Sequence, residues 1–153
     1  MPGLYFDEVE IGHRIEHRLR RTVTEADNVM FCAMTHNPQP LHLDAEYAKT
    51  TEFGQRVVNS MFTCSLAVGV SVDDTTMGTI VANLGFGEMK FPAPVFHGDT
   101  LRVETEIVEK RESRSRPTAG IITFLHETFN QRNELVCSVV RNTMIQKRQV
   151  VAE

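Results

Sequence analysis

The chain has 153 residues, of which 41% are hydrophobic and 24% charged, and its formal net charge is −4. This length and composition are enough to bury a hydrophobic core, which excludes intrinsic disorder and predicts one domain over residues 1–153. The negative net charge excludes a general electrostatic attraction to nucleic acids or anionic membranes. We therefore predict neither a nucleic-acid nor a membrane partner.

No stretch of the sequence is typical of a membrane-spanning or secretory segment. The most apolar run, residues 61–72, is too short to cross a bilayer and is interrupted by polar residues and a glycine. The first ten residues, MPGLYFDEVE, lack the basic head and apolar core of a signal peptide. We interpret three widely spaced cysteines in apolar patterns as reduced core residues: Cys32, Cys64 and Cys137. These features predict a cytoplasmic protein.

A capping pattern begins the first predicted helix. Thr24 supplies a hydroxyl and Asp27 a carboxylate, at the spacing at which each side chain bonds to the other residue's backbone N–H group. Apolar residues then recur at the helical period on one face: Ala26, Val29, Met30, Ala33 and Met34. We predict that this helix ends near Thr35, because Pro38 and Pro40 cannot continue it.

Two further helices are predicted before the middle of the chain. Asp44 can cap a short helix that runs to about Lys49, and Gly54 marks a break after it. From Asn59 to Val72 the sequence is apolar almost all round, which is typical of a helix buried on every side. This helix is therefore predicted to lie at the centre of the domain.

The second half of the chain changes to the period of β-strands. Apolar residues alternate with charged ones from 101 to 108. Runs rich in β-branched and aromatic residues predict further strands at 79–91, 121–129 and 135–145, with a turn at 130–133. A meander of antiparallel strands is the simplest arrangement of these runs.

An earlier segment adds a predicted edge strand. Ile15, His17 and Leu19 alternate with charged residues, and we interpret His13 and His17 as an exposed strand pair rather than metal ligands. No other Cys or His spacing matches a zinc site, so no metal is predicted. Helices followed by an antiparallel meander indicate an α+β fold, in which a curved sheet wraps the buried central helix.

Residues suited to catalysis concentrate in the loop after the first helix, residues 35–44, with the sequence THNPQPLHLD. His42 is the best acid or base there, because imidazole titrates near neutral pH. The alternative is a histidine whose nitrogens are satisfied by backbone hydrogen bonds. Asp44 can orient His42 or cap the following helix, and its position favours capping.

Together with this loop, four other segments resemble the MaoC-like dehydratase family: residues 5–22, 46–54 (EYAKTTEFG), 91–103 (FPAPVFHGDTLRV) and 108–117 (VEKRESRSRP). The resemblance implies a single hot-dog domain, an antiparallel sheet wrapped around a long central helix. It implies the activity of R-specific enoyl-CoA hydratases, which add water to the α,β double bond of an acyl thioester or remove it. The acyl-CoA is then the substrate, no further cofactor is expected, and the chain is expected to form at least a homodimer.

The catalytic pattern of that family is altered here. The family pairs an Asp with a His five residues later, in a pattern like Asp-x-Asn-Pro-x-His. His42 matches the His, but Asn37 stands at the Asp position and Gln39 at the Asn position. An amide cannot take a proton, so the two-residue mechanism does not carry over directly. Asn59 and Ser60 replace the family's His-Gly, whose backbone N–H binds the thioester oxygen, and a backbone donor survives that change.

Three explanations of Asn37 remain open. In the first, His42 is the sole acid and base, and Asn37 and Gln39 position water. In the second, the chain is a non-catalytic acyl-CoA-binding protein. In the third, it is an acyl-CoA thioesterase, although the predicted central helix has no carboxylate before Asp73, which counts against hydrolysis.

The altered residues also resemble a MaoC-like subgroup linked to short, branched or dicarboxylic acyl-CoA esters of the mesaconyl or methylmalyl type. Amides in the pocket would suit a substrate with a second polar group. Asn83 and Gly85 are further candidates for substrate binding, although with Gly87 they also fit a strand that needs close packing or a bulge. The basic run around Arg114 is interpreted as a solvated hairpin end, with a CoA phosphate site as the alternative.

Overall fold

The computed structural model describes residues 3–149 and consists of one sheet, four α-helices and a short 3-10 helix. None of the helices in this part of the chain is long and apolar enough to cross a membrane. After the 3-10 helix (Phe6–Glu8), the elements are β1 (Arg14–Thr22), α1 (Glu25–Met34), α2 (Pro40–Leu43), α3 (Ala45–Lys49), α4 (Ser60–Thr75), β2 (Ile80–Lys90), β3 (Thr100–Glu112), β4 (Ala119–Phe129) and β5 (Leu135–Gln146).

The sheet is antiparallel throughout, with the strand order β1-β3-β4-β5-β2. The five predicted strands are all present, and β1 is an edge strand as predicted. Helix α4 packs on one face of the sheet, where Ala67 and Val70 contact Val103 of β3. The predicted α+β architecture of a sheet around a central helix is therefore confirmed.

Helix caps form as the sequence predicts. The Thr24 side chain accepts a hydrogen bond from Asp27 N, and Asp27 accepts one from Thr24 N, which completes the capping box of α1. Asp44 caps α3 by accepting from Glu46 N and Tyr47 N. These contacts are local, which is why the sequence alone predicts them.

The prediction that α4 is buried on every side is wrong for the single chain. Its sheet-facing side is buried and includes Thr63, Cys64 and Ala67, but Met61 on the other side is 47% exposed. The sheet covers one side of the helix, Phe31 of α1 packs edge-on against Phe62, and Met61 is left exposed. The apolar residues of α4 therefore extend beyond the face that the sheet buries.

The interpretation of His17 as an exposed strand residue is also wrong. His17 is buried whereas Leu19 is 58% exposed, although both belong to the same alternating pattern. The β1–β3 register shifts between Glu16 and Arg20, so His17 and Leu19 both lie in a stretch where regular pairing with β3 is interrupted. His13 is exposed, as predicted.

A chain of hydrogen bonds runs from His17 through the interior. The carboxylate of Asp74, near the end of α4, is 2.7 Å from His17 Nδ1. His17 Nε2 is 2.7 Å from Thr105 Oγ1, which is 2.8 Å from His126 Nδ1. Because a carboxylate can only accept, His17 Nδ1 donates to Asp74. When both imidazole rings are neutral, Thr105 Oγ1 then donates to His17 Nε2 and accepts from His126 Nδ1, which leaves His126 Nε2 as an unpaired acceptor. Burial lowers the pKa of His126 to about 3, helped by the positive charge of Arg141.

The three cysteines are free and buried, as predicted: Cys32, Cys64 and Cys137. A separate apolar cluster lies where the N-terminal segment crosses the sheet, and it includes Phe6, Ile122 and Ile145. A Cβ added to Gly120 would lie 2.1 Å from the Phe6 ring, so only glycine allows the ring to rest on β4.

Candidate active site

A cavity of about 340 Å³ opens at the N-terminal end of α4, beside His42. Its walls come from the loop around α2, the first turn of α4, the segment before β3 and the start of β5. The lining is mostly apolar: Leu41, His42, Phe53, Val57, Val58, Ser60, Thr63, Phe91, Pro92, Ala93, Pro94, Val95 and Val136. His42, Ser60 and Thr63 supply its polar side chains, and none of the lining residues is Asp, Glu, Lys or Arg.

The hydrogen bonds of His42 fix which of its nitrogens can act as a base. Nδ1 lies 2.7 Å from the carbonyl oxygen of Val57, which can only accept, so Nδ1 carries the proton. Within residues 3–149, Nε2 has no hydrogen-bond partner. The sequence analysis gave backbone hydrogen bonds as the alternative to catalysis. The backbone contact engages only Nδ1, so Nε2 is left unpaired on a residue that lines the cavity.

The start of α4 supplies one free backbone donor to the same cavity. The Asn59 side chain accepts from Met61 N, and Asn59 N donates to Asn28 Oδ1, so both of these amides are already used. Phe62 N and Thr63 N bond back to Asn59 O. Ser60 N has no partner in the described chain, and Ser60 lines the cavity. A free N–H at the positive end of a 16-residue helix suits a carbonyl oxygen that gains negative charge.

Asn28 of α1 bonds to the segments that form the cavity, and the sequence did not predict this role. It is fully buried; its Nδ2 lies 3.3 Å from His42 O, 3.2 Å from Val57 O and 3.0 Å from His97 Nε2, while its Oδ1 accepts from Asn59 N at 2.9 Å. One amide thus bridges α1, the His42 loop, the start of α4 and the segment before β3. A polar residue inside an amphipathic helix gives no local signal of such contacts, because its partners lie up to 69 positions away.

The structure places Asn37 and Gln39 outside the lining of this cavity. The Asn37 side chain accepts from Gln39 N at 3.0 Å, which fixes the entry into α2, and Asn37 borders a different depression near Cys32. Gln39 is exposed. His36, just before this turn, has a φ of 53°, so the backbone bends sharply where the family has its Asp. The roles predicted for these two amides remain predictions.

Asn83 and Gly85 lie on β2 and do not line the cavity. Asn83 accepts from Arg141 Nε, and Gly85 has a φ of 139° where the β2–β5 register shifts. A Cβ on Gly87 would approach Val140 to 3.3 Å, which fits close packing. Substrate binding by Asn83 and Gly85 remains a prediction.

The basic hairpin around Arg114 and the histidine His97 both lie outside the lining of the cavity. The β3–β4 tip around Arg114 lies at the opposite end of the sheet from the cavity, since it is next to the end of β5 and the cavity is at its start. Burial lowers the pKa of His97, and nearby Arg56 lowers it further. Within residues 3–149, no group of three or more His, Cys, Asp and Glu side chains is arranged to hold a metal ion.

Comparison with known sequences decides the family. The family profile described as "MaoC like domain" matches residues 7–128. The chain belongs to the MaoC-like family. Among curated relatives, the mesaconyl-CoA hydratase of Cereibacter sphaeroides is 31% identical over 98% of this MaoC-like chain, which spans 43% of that relative. The (R)-specific enoyl-CoA hydratase of Aeromonas caviae is 32% identical over 75% of this chain and 81% of that protein.

Solved structures share the fold of this chain. A protein described as monoamine oxidase regulatory protein from Archaeoglobus superposes with a TM-score of 0.86 and 36% identity, covering 96% of this chain and 97% of that one. A Mycobacterium tuberculosis protein described as a double hot-dog fold superposes with a TM-score of 0.87 at 22% identity, with 99% of this chain on 46% of that one. The MaoC-like chain therefore has the hot-dog fold, as the resemblance implied.

Proposed function

We propose that this chain is a hydratase and dehydratase that interconverts a 2-enoyl-CoA and a 3-hydroxyacyl-CoA. The observation that carries the proposal is that His42 and Ser60 line one mostly apolar cavity. The Nε2 atom of His42 and the backbone N–H of Ser60 both have no hydrogen-bond partner in the described chain. Water addition to an enoyl thioester needs a group that exchanges a proton and a donor for the carbonyl oxygen. Relatives that are named hydratases support the same reaction.

In the proposed mechanism, His42 Nε2 takes a proton from water while the water oxygen bonds to C3 of the enoyl group. The π electrons move onto the thioester oxygen, and Ser60 N–H stabilises the resulting enolate. The protonated His42 then gives a proton to C2, which completes the hydration; dehydration is the reverse. The reaction uses the CoA ester only as substrate and needs no further cofactor. The predicted water-positioning roles of Asn37 and Gln39 would require their side chains to move into the cavity.

The acyl group that fits the proposal is short and apolar, with room for a branch. The lining around His42 is built from Leu, Phe, Val, Pro and Ala side chains, and its volume of about 340 Å³ is at the lower end for a ligand pocket. The argument that amides in the pocket favour a dicarboxylic substrate is not supported, because Asn37, Gln39 and Asn59 do not line it. A dicarboxylic ester remains an alternative because of the mesaconyl-CoA hydratase relative.

The test is to incubate the purified chain with crotonyl-CoA, mesaconyl-CoA and methylmalyl-CoA. Loss of enoyl-thioester absorbance from the first two, or gain from the third, is measured alongside the release of free thiol. We expect an absorbance change without thiol, fastest with crotonyl-CoA. A faster reaction with mesaconyl-CoA would contradict the apolar acyl group but keep the activity.

Two outcomes would overturn the activity itself. Thiol release would identify a thioesterase. Binding without either signal would identify a non-catalytic acyl-CoA-binding protein, which the turn of Asn37 toward Gln39 N and away from the cavity favours as the second candidate.

We also propose that β2 pairs with the β2 strand of a second copy to form a homodimer. This edge strand exposes three large apolar side chains, those of Leu84, Phe86 and Met89. Unpaired edge strands usually carry charged residues or proline instead, because an apolar edge tends to pair with another strand. Light scattering should give twice the mass of one chain. Phe86→Glu should shift the protein toward monomer, whereas Leu19→Glu, on the opposite edge, should not. A monomeric wild-type protein would contradict the pairing.

A further inference from the structure

Thr63 lines the cavity, and its hydroxyl has no hydrogen-bond partner among the described residues. Thr63 is 1% exposed and lines the cavity with His42 and Ser60. Within residues 3–149, its Oγ1 has no hydrogen-bond partner. A buried hydroxyl without a partner is uncommon and calls for an explanation, which a bound molecule would supply.

Two other buried hydroxyls of α4, those of Ser71 and Thr75, have partners. Ser71 Oγ donates to Val68 O at 2.7 Å, and Thr75 Oγ1 donates to Ser71 O at 2.5 Å. This backward bond to the preceding turn is how a hydroxyl inside a helix is commonly satisfied. The Thr63 hydroxyl does not make this backward bond to the preceding turn, and Thr63 is a residue of the cavity lining.

Thr63 lies one helical turn after the free backbone donor of Ser60. Thr63 follows Ser60 by three residues, so the two lie on one face of α4, one turn apart. Side chains on a helix lean toward its N-terminus, which brings Thr63 Oγ1 toward the first turn. Two unpaired donors, Ser60 N–H and Thr63 O–H, therefore meet the same cavity.

We propose that the Thr63 hydroxyl is a second hydrogen-bond donor to the thioester oxygen, beside Ser60 N–H. The inference rests on the proposed function and adds a residue to its oxyanion site. The hydroxyl keeps its proton throughout. Its hydrogen bond strengthens as the electron pair moves from the C2–C3 double bond onto the oxygen, so it stabilises the transition state more than the ground state.

The kinetic test compares Thr63→Val, which removes the hydroxyl at nearly constant shape, with Thr63→Ser, which keeps it. Thr63→Val should lower kcat about 100-fold in both hydration and dehydration, with KM within about threefold, whereas Thr63→Ser should stay within about tenfold of wild type. Thr79→Val is the matched control, because Thr79 is also fully buried with an unpaired Oγ1 but lies outside the cavity. It should keep the wild-type kcat.

A second readout does not require turnover. Butyryl-CoA labelled with ¹³C at the thioester carbonyl binds without reacting, and difference infrared spectra report the hydrogen bonds to its oxygen. The carbonyl band should lie at higher wavenumber in Thr63→Val than in wild type, Thr63→Ser or Thr79→Val. Thr63→Ala serves the same purpose if the valine variant does not fold.

The outcomes separate this inference from the proposed function. A wild-type chain that binds butyryl-CoA and shows the Thr63-dependent band but does not hydrate supports the role of Thr63 and overturns the proposed function. A loss of kcat with an unchanged carbonyl band, or a raised KM with normal kcat, overturns the role of Thr63 and leaves the function standing. A wild-type chain that binds no acyl-CoA contradicts both.

Discussion

Two histidines, His42 of α2 and His126 of β4, have similar hydrogen bonds and very different surroundings. Each has Nδ1 engaged, His42 with Val57 O and His126 with Thr105 Oγ1, and each has an unpaired Nε2. His42 lines an open cavity, whereas His126 is 0% exposed and its pKa is lowered to about 3. The comparison teaches that the same hydrogen-bond pattern leaves one histidine beside an open cavity, whereas the other is sealed in the interior and held neutral.

The largest expected effect comes from removing the basic nitrogen of His42. In His42→Asn, the amide N–H can still donate to Val57 O, but no base remains, so kcat should fall by about 10² to 10⁴ with the fold intact. Steady-state kinetics and circular dichroism measure the two parts of this expectation. His36→Asn is the matched control, because His36 is exposed and asparagine tolerates its positive φ. Full activity in His42→Asn would show that the base lies elsewhere.

The next effect tests whether the His42 site depends on Asn28. Asn28→Ala removes a buried amide and leaves Asn59 N without its acceptor, so the free energy of unfolding should fall by about 3 kcal/mol. Because the His42 loop loses an anchor, kcat should fall by about tenfold. Urea unfolding and kinetics at a temperature where the variant is folded measure both. A variant that is as stable as wild type but inactive, or one that is destabilised but fully active, would show that Asn28 does not support both the fold and the His42 site.

The neutral state of His126 predicts a pH dependence of stability. Its folded pKa of about 3 lies below the ordinary value of 6.5, so below pH 6.5 the unfolded chain binds a proton that the folded chain does not. This contribution is constant above that pH and should lower stability by about 2 kcal/mol between about pH 7 and pH 5. The lowered pKa of His97 acts in the same direction.

His126→Asn isolates that contribution, because its amide can still donate to Thr105 Oγ1 but does not titrate. Urea unfolding at several pH values above 4.5, where most carboxylates stay ionised, should show a shallower decline than in wild type. Equal slopes would mean that His126 gains its proton in the folded state without penalty, which would place it in contact with water.

The smallest expected effect is that of Asn37→Asp. The new carboxylate can accept from Gln39 N as the amide does, so it should remain outside the cavity and change kcat by less than about threefold. The assay uses crotonyl-CoA. A gain above tenfold would show that the loop can place this side chain in the cavity, as the family pattern of Asp and His requires.

Local patterns in the sequence predicted much of this structure. The Thr24 capping box, the Asp44 cap and the strand periods depend on neighbours a few positions away, so each was found. The family resemblance indicated His42 and the start of α4, but not that Asn37 turns to Gln39 N. His17, Asn28 and Thr63 were missed as polar interior residues, because only the folded register and the packing of distant segments bury them.

The bridging amide of Asn28 has a consequence for the order of folding. Its bonds to His42, Val57 and His97 close loops of 14, 29 and 69 residues, whereas β3, β4 and β5 follow one another as hairpins. Short loops close at a smaller entropic cost than long ones, so hairpins form early and distant pairings late. We expect the refolding chain to regain its β-sheet signal before the cavity beside His42 forms, and a newly made chain to pass through a period in which the sheet is formed and the proposed acyl-CoA site is not.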